Sequence, residues 1–156
     1  MQLQVAAGWV EAPLREFVSD ARAEIAVLLH PSGQVLGQYG FTRSVDVVTA
    51  CALAAAIHAS SGELGRQLDG KAFTVMHYVG ERKQIFLAPV PIPSGTLLLL
   101  TVFDEESSLG LVQLYFAEFC GALAKVAPEW HGAESALASD FEGELNKNLA
   151  AMFGRG

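Results

Sequence analysis

The sequence predicts an α/β domain of the α+β kind, with an antiparallel five-stranded sheet and helices on its faces. Three observations predict it. Short apolar stretches of strand length alternate with stretches whose apolar residues recur at helical spacing. Tight turns separate most of the strand-like stretches, so neighbours pair as hairpins, and hairpins make antiparallel sheets. The order is helix, two strands, helix, three strands, helix, which leaves helical segments free to cover the sheet.

Each element has its own signal. Residues 9 to 22 read as a helix: Trp9, Val10, Leu14, Phe17 and Val18 recur at helical spacing, with Pro13 in the first turns. Residues 24 to 29 and 34 to 39 are strand-length runs around the turn Pro31-Ser32-Gly33. A long helix follows, with Asp46 or Ser44 as N-cap and its end near Gly70. Residues 72 to 79, AFTVMHYV, are rich in aromatic and β-branched types and read as a third strand. Gly80-Glu81-Arg82-Lys83 is a turn; residues 84 to 90 and 96 to 103 are two more strands joined by PIPSG. Asp104 to Ser108 is a polar stop with Ser107 or Ser108 as N-cap, and Leu109 to Val126 form a further helix. Residues 127 to 138 mix Pro, Gly and small residues and read as a linker. A C-terminal segment, 139 to 156, closes the chain. The expected domain is therefore 1 to 126.

Composition narrows the function. A chain of 156 residues suits one domain with a short extension. Apolar residues make up 51% and charged residues 17%, an apolar excess pointing to surface covered by another chain. A net charge of −7 repels nucleic acid and anionic lipid, so neither nucleic acid nor a membrane is an expected partner. Cys51 and Cys120 lie in apolar helical surroundings and read as reduced core residues. The N-terminus has no basic region ahead of its apolar residues, unlike a signal peptide, and the aliphatic run Leu97 to Leu100 is too short to span a bilayer. The expected location is the cytoplasm.

Motifs that would carry chemistry fail on context. Gly65 to Ala72 nearly spells a P-loop, but a helix runs in and a strand runs out, and Ala72 stands where a Mg²⁺-binding hydroxyl belongs. Asn146-Lys147-Asn148-Leu149 lacks the acidic residue of a guanine-reading motif. His30, His58, His77 and His131 have no partner at metal-ligand spacing. There is no G-x-S-x-G elbow. Asp104, Glu105 and Glu106 read as a solvated loop. The sequence thus predicts no metal, no cofactor and no catalytic residue, and an enzyme is the least expected reading.

The helix from Val45 to Leu68 says most. At about 100° per residue, Leu53, Ile57, Leu64 and Leu68 share one face, expected to pack on the sheet. Opposite and alongside lie Val48, Ala52, Ala55, Ala56 and Ala59, where a water-facing helix usually carries charge. Small side chains let another backbone come close, so this face is expected to meet another protein.

The order of elements, the Ala-rich second helix, Gly80-Glu81-Arg82, and Val102-Phe103-Asp104-Glu105 followed by Leu109-Gly110-Leu111-Val112 resemble the Roadblock/dynein light chain family, and within it the bacterial MglB-like regulators of small Ras-like GTPases. The resemblance spans about residues 10 to 126. It implies one long helix on one face of the sheet and two on the other. It implies a homodimer in which long helices meet and third strands pair edge to edge, here through Thr74, Met76, His77 and Tyr78. It implies that the paired helices dock the switch regions of an MglA-type GTPase, two chains to one GTPase, and accelerate its hydrolysis of GTP in cell polarity. The contacts expected on this chain are Val48, Ala52, Ala55, Ala56, Ala59, Glu63 and Arg66. Hydrolysis needs a positioned water and positive charge at the phosphates. MglB-like proteins resemble regulators that hold the GTPase's own residues in place, and Arg66 is the one arginine near the platform. Glu63 departs from the family by standing where a small residue is common. Two other readings remain: a non-catalytic adaptor or scaffold of a motor or signalling complex, and a small-ligand sensor, for which His77 and Tyr78 are the polar candidates.

The C-terminal segment has the pattern of an amphipathic helix. Ser139-x-x-Glu142 is a capping box, and Phe141, Leu145, Leu149, Met152 and Phe153 form a stripe. Its length and Gly143 make it weak alone, so it is expected to be helical only when docked. Its own domain is the plain candidate receiver and the partner GTPase the sharper one. The linker lets the segment reach beyond the domain, and the resemblance extends to MglB-like proteins whose C-terminal extension touches the partner.

Overall fold

The computed structural model describes residues 8–40 and 45–127. The elements are α1 (Gly8–Ala21), β1 (Ile25–Leu29), β2 (Val35–Gly40), α2 (Val47–Asp69), β3 (Met76–Val79), β4 (Gln84–Ile92), β5 (Gly95–Phe103) and α3 (Leu109–Ala127). The expected N-cap Ser44, the 128–138 part of the linker and the segment 139–156 lie outside the described residues. Ala127 does not open a linker: it is the last, buried residue of α3.

The five strands form one antiparallel sheet in the order β2-β1-β5-β4-β3. β1 and β5 are interior strands covered on both faces, which is why they read as unbroken apolar runs. Alternate side chains feed two cores. Ala26, Leu28, Phe86, Ala88, Leu97, Leu99 and Phe103 meet α1 and α3, through Leu14, Phe17, Phe119 and Leu123. Phe17 and Phe119 sit with ring centres 5.8 Å apart, and Phe86 meets Phe116 edge-on at 5.4 Å. On the other face Ile25, Val27, Leu29, Met76, Leu87, Leu98 and Leu100 meet α2. One long helix therefore covers one face and two helices the other.

Most boundaries shift by a residue or two from the sequence expectation, and three of the differences have a physical reason. β4 and β5 run to Ile92 and from Gly95, because Pro93-Ser94 alone closes the hairpin. Pro89 and Pro91 sit in the part of β4 that pairs only with β5, where a missing N–H is tolerated on the open side. The third strand starts at Met76 rather than Ala72. Its ladder on β4 ends at the Met76–Leu87 pair, two residues short of Pro89, which has no N–H to extend it. Ala72 and Phe73 instead lie against α2, where they close the space at Gly62 and Gly65.

Candidate functional site

α2 is set by its ends. The Asp46 carboxylate accepts from the Thr49 hydroxyl at 2.7 Å and the Thr49 backbone N–H at 3.1 Å. Those hydrogen bonds, that of the hydroxyl first, hold Asp46 below the ordinary carboxylate range. At the other end Gly70 takes the left-handed conformation (φ 80°) and its N–H reaches Arg66 O. The P-loop-like stretch is thus a helix end and turn.

The helix rests on the sheet through Cys51 and Ala54, with Val47, Ala50, Ala55 and Ile57 half-buried beside them, while Gly62 and Gly65 are buried against residues 71 to 73. This reverses the expectation for the leucines. Leu53, Leu64 and Leu68 are 60%, 53% and 72% exposed and do not pack on the sheet; only Ile57 of that set is half-buried against it. The sheet supplies the bulk, with Leu29, Met76, Leu87 and Leu98 beneath, and small helix residues let α2 sit low on it. The bulky side chains are left outside.

Val48, Ala52, Ala56, Ala59, Glu63 and Arg66 are exposed, and Ala55 is half-buried. The outer surface of α2 therefore carries two apolar flanks, one small (Val48, Ala52, Ala59) and one of leucines (Leu53, Leu64, Leu68). Between them, near the C-terminal end, Glu63 accepts from Gln67 at 2.9 Å and from Arg66 Nε at 3.1 Å. The Gln67 bond, then the Arg66 bond and charge, lower the Glu63 pKa. Arg66 is held along its own helix. Sequence reasoning missed the leucines as surface residues. The signal was there: residues 47 to 62 carry no Asp, Glu, Lys or Arg on any face.

β3 is an edge strand, paired with β4 on one side only. Thr74, Tyr78 and Val79 are exposed, while Met76 is buried under α2 and offers an incoming strand only its backbone. His77 lies on the α3 side, stacked on Phe103 with centres 6.2 Å apart and hydrogen-bonded to Gln84 at 2.8 Å. Tyr78 projects to the opposite face, so the two polar groups do not converge on a ligand. The turn after β3 is closed by Gly80 N–H to Lys83 O, and Lys83 bridges to Glu24 at 2.6 Å. With Asp104 and Glu105 this turn borders an open polar cleft.

Cys51 is buried and Cys120 half-buried, and burial pushes both thiols up to about 11. His30 pairs with Ser32, and His58 Nδ1 is buried. Among the described residues no group of three or more His, Cys, Asp or Glu is placed to hold a metal ion. α2 and α3 are each long and apolar enough, by length and composition, to cross a membrane. Here each lays one side on the sheet and presents the other outward.

No family model matches the sequence, and no curated relative is found. The likeness is carried by shape. A structure described as MglB with a tetrameric arrangement superposes with a TM-score of 0.71 at 27% identity, covering 81% of this chain and 94% of that one. The gliding protein MglB of Thermus thermophilus gives 0.69 at 28% identity, covering 81% and 95%. A Roadblock/LC7 domain from Streptomyces avermitilis gives 0.64 at 18% identity, covering 74% and 94%, a likeness of fold alone. The expected fold stands: this chain has the Roadblock/MglB-like fold.

Proposed function

We propose that the chain is a homodimeric regulator of a small Ras-like GTPase of the MglA type, acting in the cytoplasm without a catalytic site of its own. The observation that carries this reading is the apolar outer surface of α2 on a Roadblock/MglB-like fold, beside the open edge of β3. An open edge and an uncovered apolar helix face are liabilities that self-association removes. A two-fold axis perpendicular to the sheet pairs β3 with β3 antiparallel and keeps both α2 helices on one face, side by side. The tetrameric arrangement of one MglB structure supports self-association.

Such a platform has a division of labour. The leucine flank, with Thr74, Tyr78 and the β3 backbone, joins the two copies. The small flank, Val48, Ala52, Ala55, Ala56 and Ala59, with Glu63 and Arg66, receives the switch regions of one GTPase straddling the axis. Arg66, tied to Glu63, holds the GTPase's own residues in place and is not a finger in the phosphates. The test is affinity capture from native extract, followed by phosphate release from the captured GTPase. The expected result is a small GTPase recovered in its GTP-bound state and faster release with this protein added. Capture of motor components with no GTPase would favour the adaptor reading instead.

A further inference from the structure

The outer side of α3 has no cover among the described residues. α3 meets the sheet through Val112, Phe119, Leu123 and Ala127. Away from the sheet a helix facing water carries charge. Here Leu114 is 55% exposed, Ala117, Gly121 and Ala124 are exposed beside it, and a side chain built at Gly121 would meet nothing within 4 Å. Glu118 and Lys125 are the only charged residues from 109 to 127. Residues 114, 117, 121 and 124 step by three and four, the spacing of a seam between two helices.

We infer that this face receives the chain's own segment 139 to 153, laid antiparallel along α3. The segment starts in the right place. Twenty-nine residues follow Ala127, and they leave from the end of the uncovered helix itself. Residues 128 to 138 exceed the roughly 2–8 residues that join antiparallel helices. The apolar stripe fits. Placing Leu145 opposite Gly121 sets Leu149 opposite Ala117, Met152 opposite Leu114, and Phe141 beside Ala124, so most bulky residues meet small ones. The charges fit in the same register: Lys147 falls beside Glu118, and Glu142 and Glu144 fall within a turn of Lys125. The antiparallel helix dipoles add to the pairing. The contact covers α3 without using α2, so the surface proposed for a GTPase stays open.

The experiment needs no GTPase, so its outcome is independent of the function proposed above. In the full chain with Cys120→Ser, Ala117→Cys is combined with Leu149→Cys and mildly oxidised at low micromolar concentration. A disulfide within one chain should form about tenfold faster than in a control with Glu16→Cys, exposed on α1 over the same face of the sheet, and Leu149→Cys, because the tether is the same but only one pair lies on the seam. Linking no faster than the control overturns the proposal. So does linking between chains at a rate that rises with concentration, which would make a second copy the occupant. Hydrogen exchange on the unmodified chain gives a second reading: amides in 141 to 152 should exchange about tenfold or more slower than an unstructured segment, and Leu145→Asp should abolish this. Protection that arises only after a GTPase is added overturns the proposal.

Discussion

At the residue scale, the seating of α2 rests on Gly65. A Cβ there would meet the backbone nitrogen of Phe73, and the carbonyl oxygen of Lys71 at 2.6 Å. Backbone cannot step aside as a flexible side chain can. Gly65→Ala should therefore destabilise the fold by about 2–3 kcal/mol, at the upper end of overpacking, despite the better helix propensity of Ala. Thermal or urea unfolding checks this; a neutral or stabilising effect would mean that residues 71 to 73 do not lie against the helix. Asp46 is a second test. Its folded pKa is lowered, so its contribution is full above the ordinary aspartate range and is lost as pH falls through the lowered value. Asp46→Ala should lower Tm at neutral pH, and the gap from wild type should close as the solution is acidified. Arg66→Ala separates a holder from a finger. It should leave stimulated hydrolysis within about threefold, whereas removing an arginine finger costs roughly 10³- to 10⁵-fold.

At the scale of elements, the proposed dimer rests on the open edge of β3. Tyr78 is half-exposed on that strand, and a lysine on an edge is a device that keeps strands apart. Tyr78→Lys should weaken self-association about tenfold or more in Kd while Tm of the monomer changes little, read by sedimentation velocity over a dilution series. Elements also show what the sequence could convey. Helix identities were legible from period, strand identities from run length, residue type and the turns between them, and Asp46, Gly70 and Ser108 marked helix ends, Ser108 accepting from Leu111 N–H at 3.2 Å. The facing of α2 was not. Where all sides of a helix are apolar, periodicity has no polar side to measure against, and the leucines were assigned to the sheet when Cys51 and Ala54 lie there. The start of β3 was hidden for another reason. It depends on Pro89, thirteen positions on from Met76, and no reading of residues 72 to 79 by themselves contains that. Of the candidate contacts, the exposure of Ala52, Ala56 and Ala59 was legible; the burial of Met76 was not, because strand alternation does not say which face lies beneath a helix.

At the scale of the whole molecule, the proposed working unit is the dimer, with the paired α2 helices as its platform. The most direct measurement is the mass of the complex. The purified full chain is mixed with its GTPase, loaded with a GTP analogue, and examined by size-exclusion chromatography with light scattering. The chain alone should give about twice its 16.6 kDa. The mixture should give two copies of this chain to one GTPase. The same run with Ala59→Arg, a change at an exposed position that should cost the fold less than about 0.5 kcal/mol, should show the dimer intact and the GTPase eluting by itself. A monomer, or an Ala59→Arg dimer that still carries the GTPase, would contradict the account.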